Sequence, residues 1–145
     1  MLRLFLLSVL FVSVLFGSGA REEARFLGAE TNFQKALEKA KAQKKMLVMV
    51  VVKENCRWCS RLVHRTMGDP DVRAVLSQKY VTLVLDRHDD YPKVFTEDFF
   101  PSIFYIDYST GQSVYENVGF IGKKCFLNDL KGAEKTRESL YAKEQ

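Results

Sequence analysis

Helical and strand signals alternate along this chain, and the alternation predicts an α/β domain: a central mixed β-sheet flanked by helices. Three observations carry that expectation. Met46 to Val52 is a run of seven apolar residues rich in valine, which suits a strand covered by helices on both faces. Two more short apolar strands, Val81 to Leu85 and Ile103 to Ile106, are set apart from it by helical periodicities and charged loops. Gln112 to Val118 then follows the third strand across the turn Tyr108-Ser109-Thr110-Gly111, a hairpin pattern that makes the sheet mixed.

A length of 145 residues with 47% hydrophobic content allows one domain, and eight Gly and three Pro exclude a collagen-like or low-complexity chain. Met1 to Ala20 stands apart. One charge, Arg3, precedes the apolar run Leu4 to Phe16, and Gly17-Ser18-Gly19-Ala20 closes it with small residues. That layout is a secretory signal peptide with Ser18 and Ala20 at the −3 and −1 positions. The run is shorter than the roughly 20 residues that span a bilayer. Cleavage would leave 125 residues with a net charge of +3. So small and dispersed a surplus gives no basis for a nucleic-acid surface. A chain of that size can bury a core without disulfide staples, so its cysteines are available for chemistry. Export would place the protein in a periplasmic or extracellular space, where a close cysteine pair can cycle.

Within the mature chain, residues 21–30 read as a flexible lead-in. Thr31 and Gln34 are spaced as a capping box, and Phe33, Ala36, Leu37 and Ala40 form the apolar stripe of a first helix. Lys39, Lys41, Lys44 and Lys45 load its C-terminal end, where the helix dipole favours positive charge. After the central strand, Cys56-Arg57-Trp58-Cys59 begins a helix; Cys59, Leu62, Val63 and Thr66 share its inward face and leave Cys56 towards solvent. Asp69-Pro70 caps the next helix, which buries Val72, Val75, Leu76 and Tyr80. Residues 86–90 read as a solvated strand-end loop, and residues 91–100 as a short helix or loop. Phe126, Leu127, Leu130 and Ala133 mark a last amphipathic helix before a polar tail at 142–145.

The chemistry concentrates at Cys56-x-x-Cys59. One helical turn brings two sulfurs within bonding reach, and the free N–H groups of a helix start, with Arg57 alongside, stabilise a thiolate on the first cysteine. A thiolate is the attacking species in disulfide exchange, so Cys56 is assigned as nucleophile and Cys59 as resolving thiol. The same spacing also occurs in inert bridges and zinc sites. A zinc site wants four ligands, and here only His64, His88 and the remote Cys125 could add to the pair. Ser60 breaks the pattern for covalent haem. No Gly-rich phosphate loop occurs, so no nucleotide, flavin or metal cofactor is expected.

A strand, a C-x-x-C at a helix start, then Pro101 before the strand Ile103-Phe104-Tyr105-Ile106-Asp107 and a Gly-containing turn resembles the thioredoxin-like superfamily, from about Thr31 to Ala133. Cys56-Arg57-Trp58-Cys59, Asp69-Pro70-Asp71-Val72 and the strand leading to Asp86 look like the branch of small exported members. The resemblance implies one thioredoxin-like domain over residues 31–141. It makes Pro101 the cis-proline beside the active site, with the backbone of Phe100 offered to an extended substrate. It implies thiol–disulfide exchange on protein substrates, in the reductase direction because the domain lacks the helical insertion of exported oxidases. A recycling redox partner, of the membrane-bound kind found in periplasm-like spaces, is part of the same implication. Two departures stand out. Asn55 precedes Cys56 where thioredoxin has Trp, and Val50 occupies the place of a buried Asp that assists proton transfer, for which Glu54 or a water could substitute.

Trp58, the sole Trp, is either a substrate-facing aromatic or a packing residue. His64 is expected as a solvated or partly packed side chain, and Cys125 as a free, half-buried thiol. Two rivals share the fold: a peptide-binding module whose cysteines are structural, and a metal carrier using Cys56, Cys59 and His64.

Overall fold

The computed structural model describes residues 19–142, so the expected signal peptide lies outside the described residues apart from Gly19 and Ala20. Four strands form one sheet in the order β2-β1-β3-β4. Strand β1 (Met46–Val52) runs parallel to β2 (Tyr80–Asp86) and antiparallel to β3 (Ser102–Ile106), and β4 (Ser113–Val118) returns antiparallel along β3. This is the mixed sheet expected from the sequence, with the hairpin at its far edge.

The unbroken apolar run of β1 has a simple cause: it is buried on both faces. Met46, Val48, Val50 and Val52 point into a larger core with α3 (Arg57–Arg61), α4 (Pro70–Lys79) and α5 (Lys123–Ala142). Leu47, Met49 and Val51 point the other way, onto Phe33, Ala36, Leu37 and Ala40 of α2 (Phe33–Gln43) and onto Phe95. A period-2 strand between two helical layers needs apolar residues at every position.

Several expectations are corrected. Residues 21–30, expected as a loose lead-in, mostly belong to a helix, α1 (Gly19–Leu27), whose Ala20 and Ala24 enter the larger core. Its buried face is two alanines amid charges, too small a stripe to show as periodicity; tertiary packing holds the helix. Gly28, at φ 65°, supplies the left-handed turn that ends it. The chain then adds Glu30 to the β2 edge through Glu30 N–H to Thr82 O (2.8 Å) and Val84 N–H to Glu30 O (3.0 Å). The cap of α2 is Asn32, not Thr31: its side-chain oxygen accepts from Lys35 N–H at 2.9 Å. Asp86, expected in a solvated loop, is buried as the last residue of β2, and its Oδ1 accepts from His88 N–H at 3.0 Å. Asp69 caps α4 with Pro70 in its first turn, as the sequence indicates.

Between α3 and α4 the helix widens into a π-helical stretch, Leu62–Met67, closed by Gly68 N–H bonding five residues back to Val63 O (2.8 Å). Thr66 Oγ1 donates to Ile121 O at 2.7 Å, which ties this stretch to the segment between β4 and α5.

Candidate active site at the Cys56–Cys59 pair

Everything at the site is hung on the C-terminal end of β1. Val52 ends the strand, and Asn55 turns the chain at φ 53°, a left-handed conformation that Asn tolerates better than most residues. Cys56 follows as the N-cap of α3, its sulfur accepting from Cys59 N–H at 3.1 Å. The two cysteines are joined by a disulfide across a Cα–Cα distance of 5.2 Å. Cys59 is buried at 2% exposure among Leu62, Val63 and the valines of β1, whereas Cys56 only borders that core.

Register places Pro101 nearby. Ser102 pairs with Val51, so the start of β3 lies beside the end of β1 from which the cysteines emerge. Pro101 is buried, and the Phe100–Pro101 bond is cis. Pro101 O accepts from Gly119 N–H at 2.7 Å, while the N–H and carbonyl of Phe100 serve no backbone partner among the described residues. The Phe100 ring is flanked by Lys53 and Arg87, 5.9 and 5.6 Å from its centroid.

Trp58 is 49% exposed and faces outward, its ring 6.0 Å from that of Phe120. The Arg61 guanidinium lies against both rings, at 5.4 Å from Trp58 and 5.0 Å from Phe120, and Arg57 is 5.9 Å from Trp58. Sequence reasoning missed Phe120 and Arg61. Phe120 falls in the break between Gly119 and Gly122, and only the path from β4 into α5 brings it to Trp58. Glu54, offered as a substitute acid, is exposed, and Val50 is fully buried in the core.

The other candidates lie elsewhere or differ from expectation. Cys125, expected half-buried, is an exposed free thiol in the first turn of α5. Its neighbour in sequence, Phe126, takes the inward position instead. His64 is partly exposed, its ring tilted against that of Phe26 with centroids 4.2 Å apart, and its Nε2 is 2.9 Å from Glu23. Among the described residues no group of three or more His, Cys, Asp or Glu is arranged to hold a metal ion, and no helix is long and apolar enough to cross a membrane.

A four-stranded mixed sheet with a Cys-x-x-Cys disulfide at the mouth of its central strand defines a class, the thioredoxin-like thiol–disulfide oxidoreductases. Within it, the chain belongs to the DsbH-like thioredoxin family, described as "Thioredox_DsbH: Protein of unknown function, DUF255", which matches residues 30–110. A thioredoxin from Thermus thermophilus superposes with a TM-score of 0.62 at 20% identity, covering 72% of this chain and 85% of that one. A structure described as DsbH oxidoreductase gives 0.57 at 16% identity over 73% of this chain and 83% of its own. The oxidised C-terminal domain of Neisseria meningitidis DsbD gives 0.55 at 17% identity, with coverage of 72% and 99%. A search of curated protein sequences returns no significant match.

Proposed function

We propose that this protein is exported and reduces disulfides in protein substrates, with Cys56 as attacking thiolate and Cys59 as resolving thiol. The unequal burial of the pair carries the assignment of the two sulfurs: Cys56 borders the core at a helix start, and Cys59 is buried behind it. The outer sulfur is reachable by a substrate, and the N–H groups of the helix start favour its thiolate. The inner sulfur meets only the mixed disulfide that Cys56 has formed. Attack by Cys56 on a substrate disulfide releases one substrate thiolate; attack by Cys59 on Cys56 releases the second and leaves the pair oxidised.

Trp58, Phe100 and Pro101 form the substrate contact surface in this reading. The unused N–H and carbonyl of Phe100 suit an extended chain pairing edge-on, and the exposed Trp58 ring offers an apolar rest for a side chain near the reacting sulfur. A recycling partner must return electrons to the pair, and for an exported protein a membrane-bound donor fits that need. Cleavage of the leader after Ala20 would cut within the first turn of α1, removing one buried methyl; mass spectrometry of protein recovered after export locates the cut.

The deciding measurement is the reduction potential of the Cys56–Cys59 couple, obtained by equilibration in thiol–disulfide buffers with trapping of free thiols. A value near about −270 mV is expected of a reductase; one near about −120 mV would make the protein an oxidant. A pair that stays oxidised below about −300 mV would mark a structural bridge and overturn the proposal. Cys59→Ala should accumulate a mixed disulfide through Cys56 that the wild-type protein resolves.

A further inference from the structure

Resolution requires the buried Cys59 to shed its proton before it can attack, because the thiolate is the nucleophile. The strand beneath it has no group to take that proton: the residues of β1 on this face are Met46, Val48, Val50 and Val52. A carboxylate does come from a different element. Glu23, on α1, lines one cavity of about 430 Å3 together with Cys56, Cys59 and Gly19, of which cleavage after Ala20 would remove Gly19 alone, and its side chain is only 13% exposed. Its Oε2 lies 2.9 Å from His64 Nε2, yet the contact lacks hydrogen-bond geometry, and among the described residues this buried oxygen accepts no hydrogen bond. Lys53 and Arg57 line the same cavity. Two other acids compete less well. Glu54 is exposed. Asp86 pairs in register with Val52 and its buried Oδ2 likewise accepts no hydrogen bond among the described residues, but it does not line the cavity, and its Oδ1 is held by the His88 N–H.

We propose that Glu23 is the general base for Cys59. In the mixed disulfide, the Cys59 thiol gives its proton to the Glu23 carboxylate. The Cys59 Sγ–Cys56 Sγ bond forms as the bond from Cys56 Sγ to the substrate sulfur breaks, and the substrate leaves as a thiolate. The pair is oxidised, the substrate disulfide is reduced, and Glu23 returns its proton to solvent through the open side of the cavity. The assignment rests on the thiol–disulfide reading above. It gives α1 a catalytic task.

Stopped-flow reaction of the reduced protein with the aromatic disulfide 5,5′-dithiobis(2-nitrobenzoate) tests it, in a Cys125→Ser background to silence the exposed free thiol. The first thionitrobenzoate released reports attack by Cys56, and the second reports resolution by Cys59. Glu23→Gln should leave the first phase within about twofold and slow the second at least about tenfold at pH 7. The deficit should shrink as pH rises past the ordinary thiol pKa of about 8.5, where solvent can deprotonate Cys59 unaided. Glu23→Asp should recover part of the rate. Arg73→Ala loosens α1 by removing its bond to Phe26 O (3.2 Å) without touching the carboxylate, and should leave both phases intact. A second phase unchanged by Glu23→Gln overturns the assignment, as does an equal loss in Arg73→Ala or a loss seen in Asp86→Asn instead. Absence of a fast first phase in the wild-type protein would sink the redox reading itself, which separates the two failures.

Discussion

Replacing Asp107 by Asn should weaken the fold without touching the chemistry, and the size of the effect can be worked out bond by bond. Asp107 is 2% exposed at the end of β3. Its carboxylate accepts from Arg137 Nε, Ser109 N and Ser109 Oγ, each at 2.9 Å, and from the Tyr141 hydroxyl. Burial alone would raise its pKa; the bonds donated by Tyr141, Ser109 and Arg137 outweigh burial and hold it below the ordinary carboxylate value. Ser109 and Arg137 share one oxygen and Tyr141 holds the other, so an Asn keeps its oxygen for Ser109 and Arg137 and turns an amide towards Tyr141. One hydrogen bond to a charge, at about 1.5–3 kcal/mol, is lost, and the bonds from Arg137 and Ser109 fall to the strength of bonds to a neutral oxygen. The Arg137 side chain is 23% exposed and still rests on Tyr108 at 4.3 Å, so water offsets part of the lost ion pairing. The expected net cost is about 2–3 kcal/mol at pH 7, a fall of roughly 1.5 M in urea midpoint.

The sign with pH follows from the lowered pKa. The stabilisation is fully present above the unfolded carboxylate pKa of about 3.9 and is lost as pH falls through the lower folded value. Urea titrations of both proteins from pH 7 to pH 2 should therefore converge at the acid end. Asp107 lies five residues along β3 from Ser102, roughly 17 Å from the cysteine end of the sheet, so the reduction potential should not move. A cost under about 0.5 kcal/mol at pH 7, or a gap that stays constant into acid, would refute the account.

Two buried tyrosines should respond oppositely to loss of the hydroxyl. Tyr80 OH donates to Leu130 O at 2.7 Å, so Tyr80→Phe should cost about 1 kcal/mol; Tyr105 OH has no partner among the described residues, so Tyr105→Phe should be neutral or stabilising by urea denaturation. Burial pushes both phenols well above their ordinary pKa, so neither should ionise in a spectrophotometric titration to pH 11 while the protein stays folded. Gly68→Ala would set a Cβ 2.7 Å from His64 O and 2.9 Å from Phe26 Cε1, at the seam between α1 and the π-helical stretch. The expected cost is about 1–3 kcal/mol by denaturant titration, with amide exchange in α1 accelerated more than in α5.

The family resemblance was readable because its carriers are local. Cys56 and Cys59 are three residues apart on one helical turn, and Pro101 directly precedes an apolar strand. The strands were equally plain, since burial on one or both faces writes itself into consecutive residues, as in Met46 to Val52. Charged segments misled wherever contacts from other elements decided the outcome. The expected lead-in is a helix because Ala20 and Ala24 meet a core that those residues cannot announce. Asp86 is buried because β2 runs one residue further beside Val52 than its apolar run suggests.

From the sequence alone came the α/β class, the order of its strands and helices apart from α1, and the reactive pair with its inward and outward members. Only the tertiary structure decided what surrounds that pair. Phe120 meets Trp58 from a segment 62 positions on, Arg61 lies against both rings, and Glu23 reaches the sulfur cavity from a helix that precedes the first strand. The physical reason is the range of the forces concerned. Backbone hydrogen bonding and side-chain periodicity act over a few residues and leave a trace in sequence. The packing that brings a carboxylate and a buried sulfur to the wall of one cavity acts between elements distant in sequence, and it leaves no periodic mark on either.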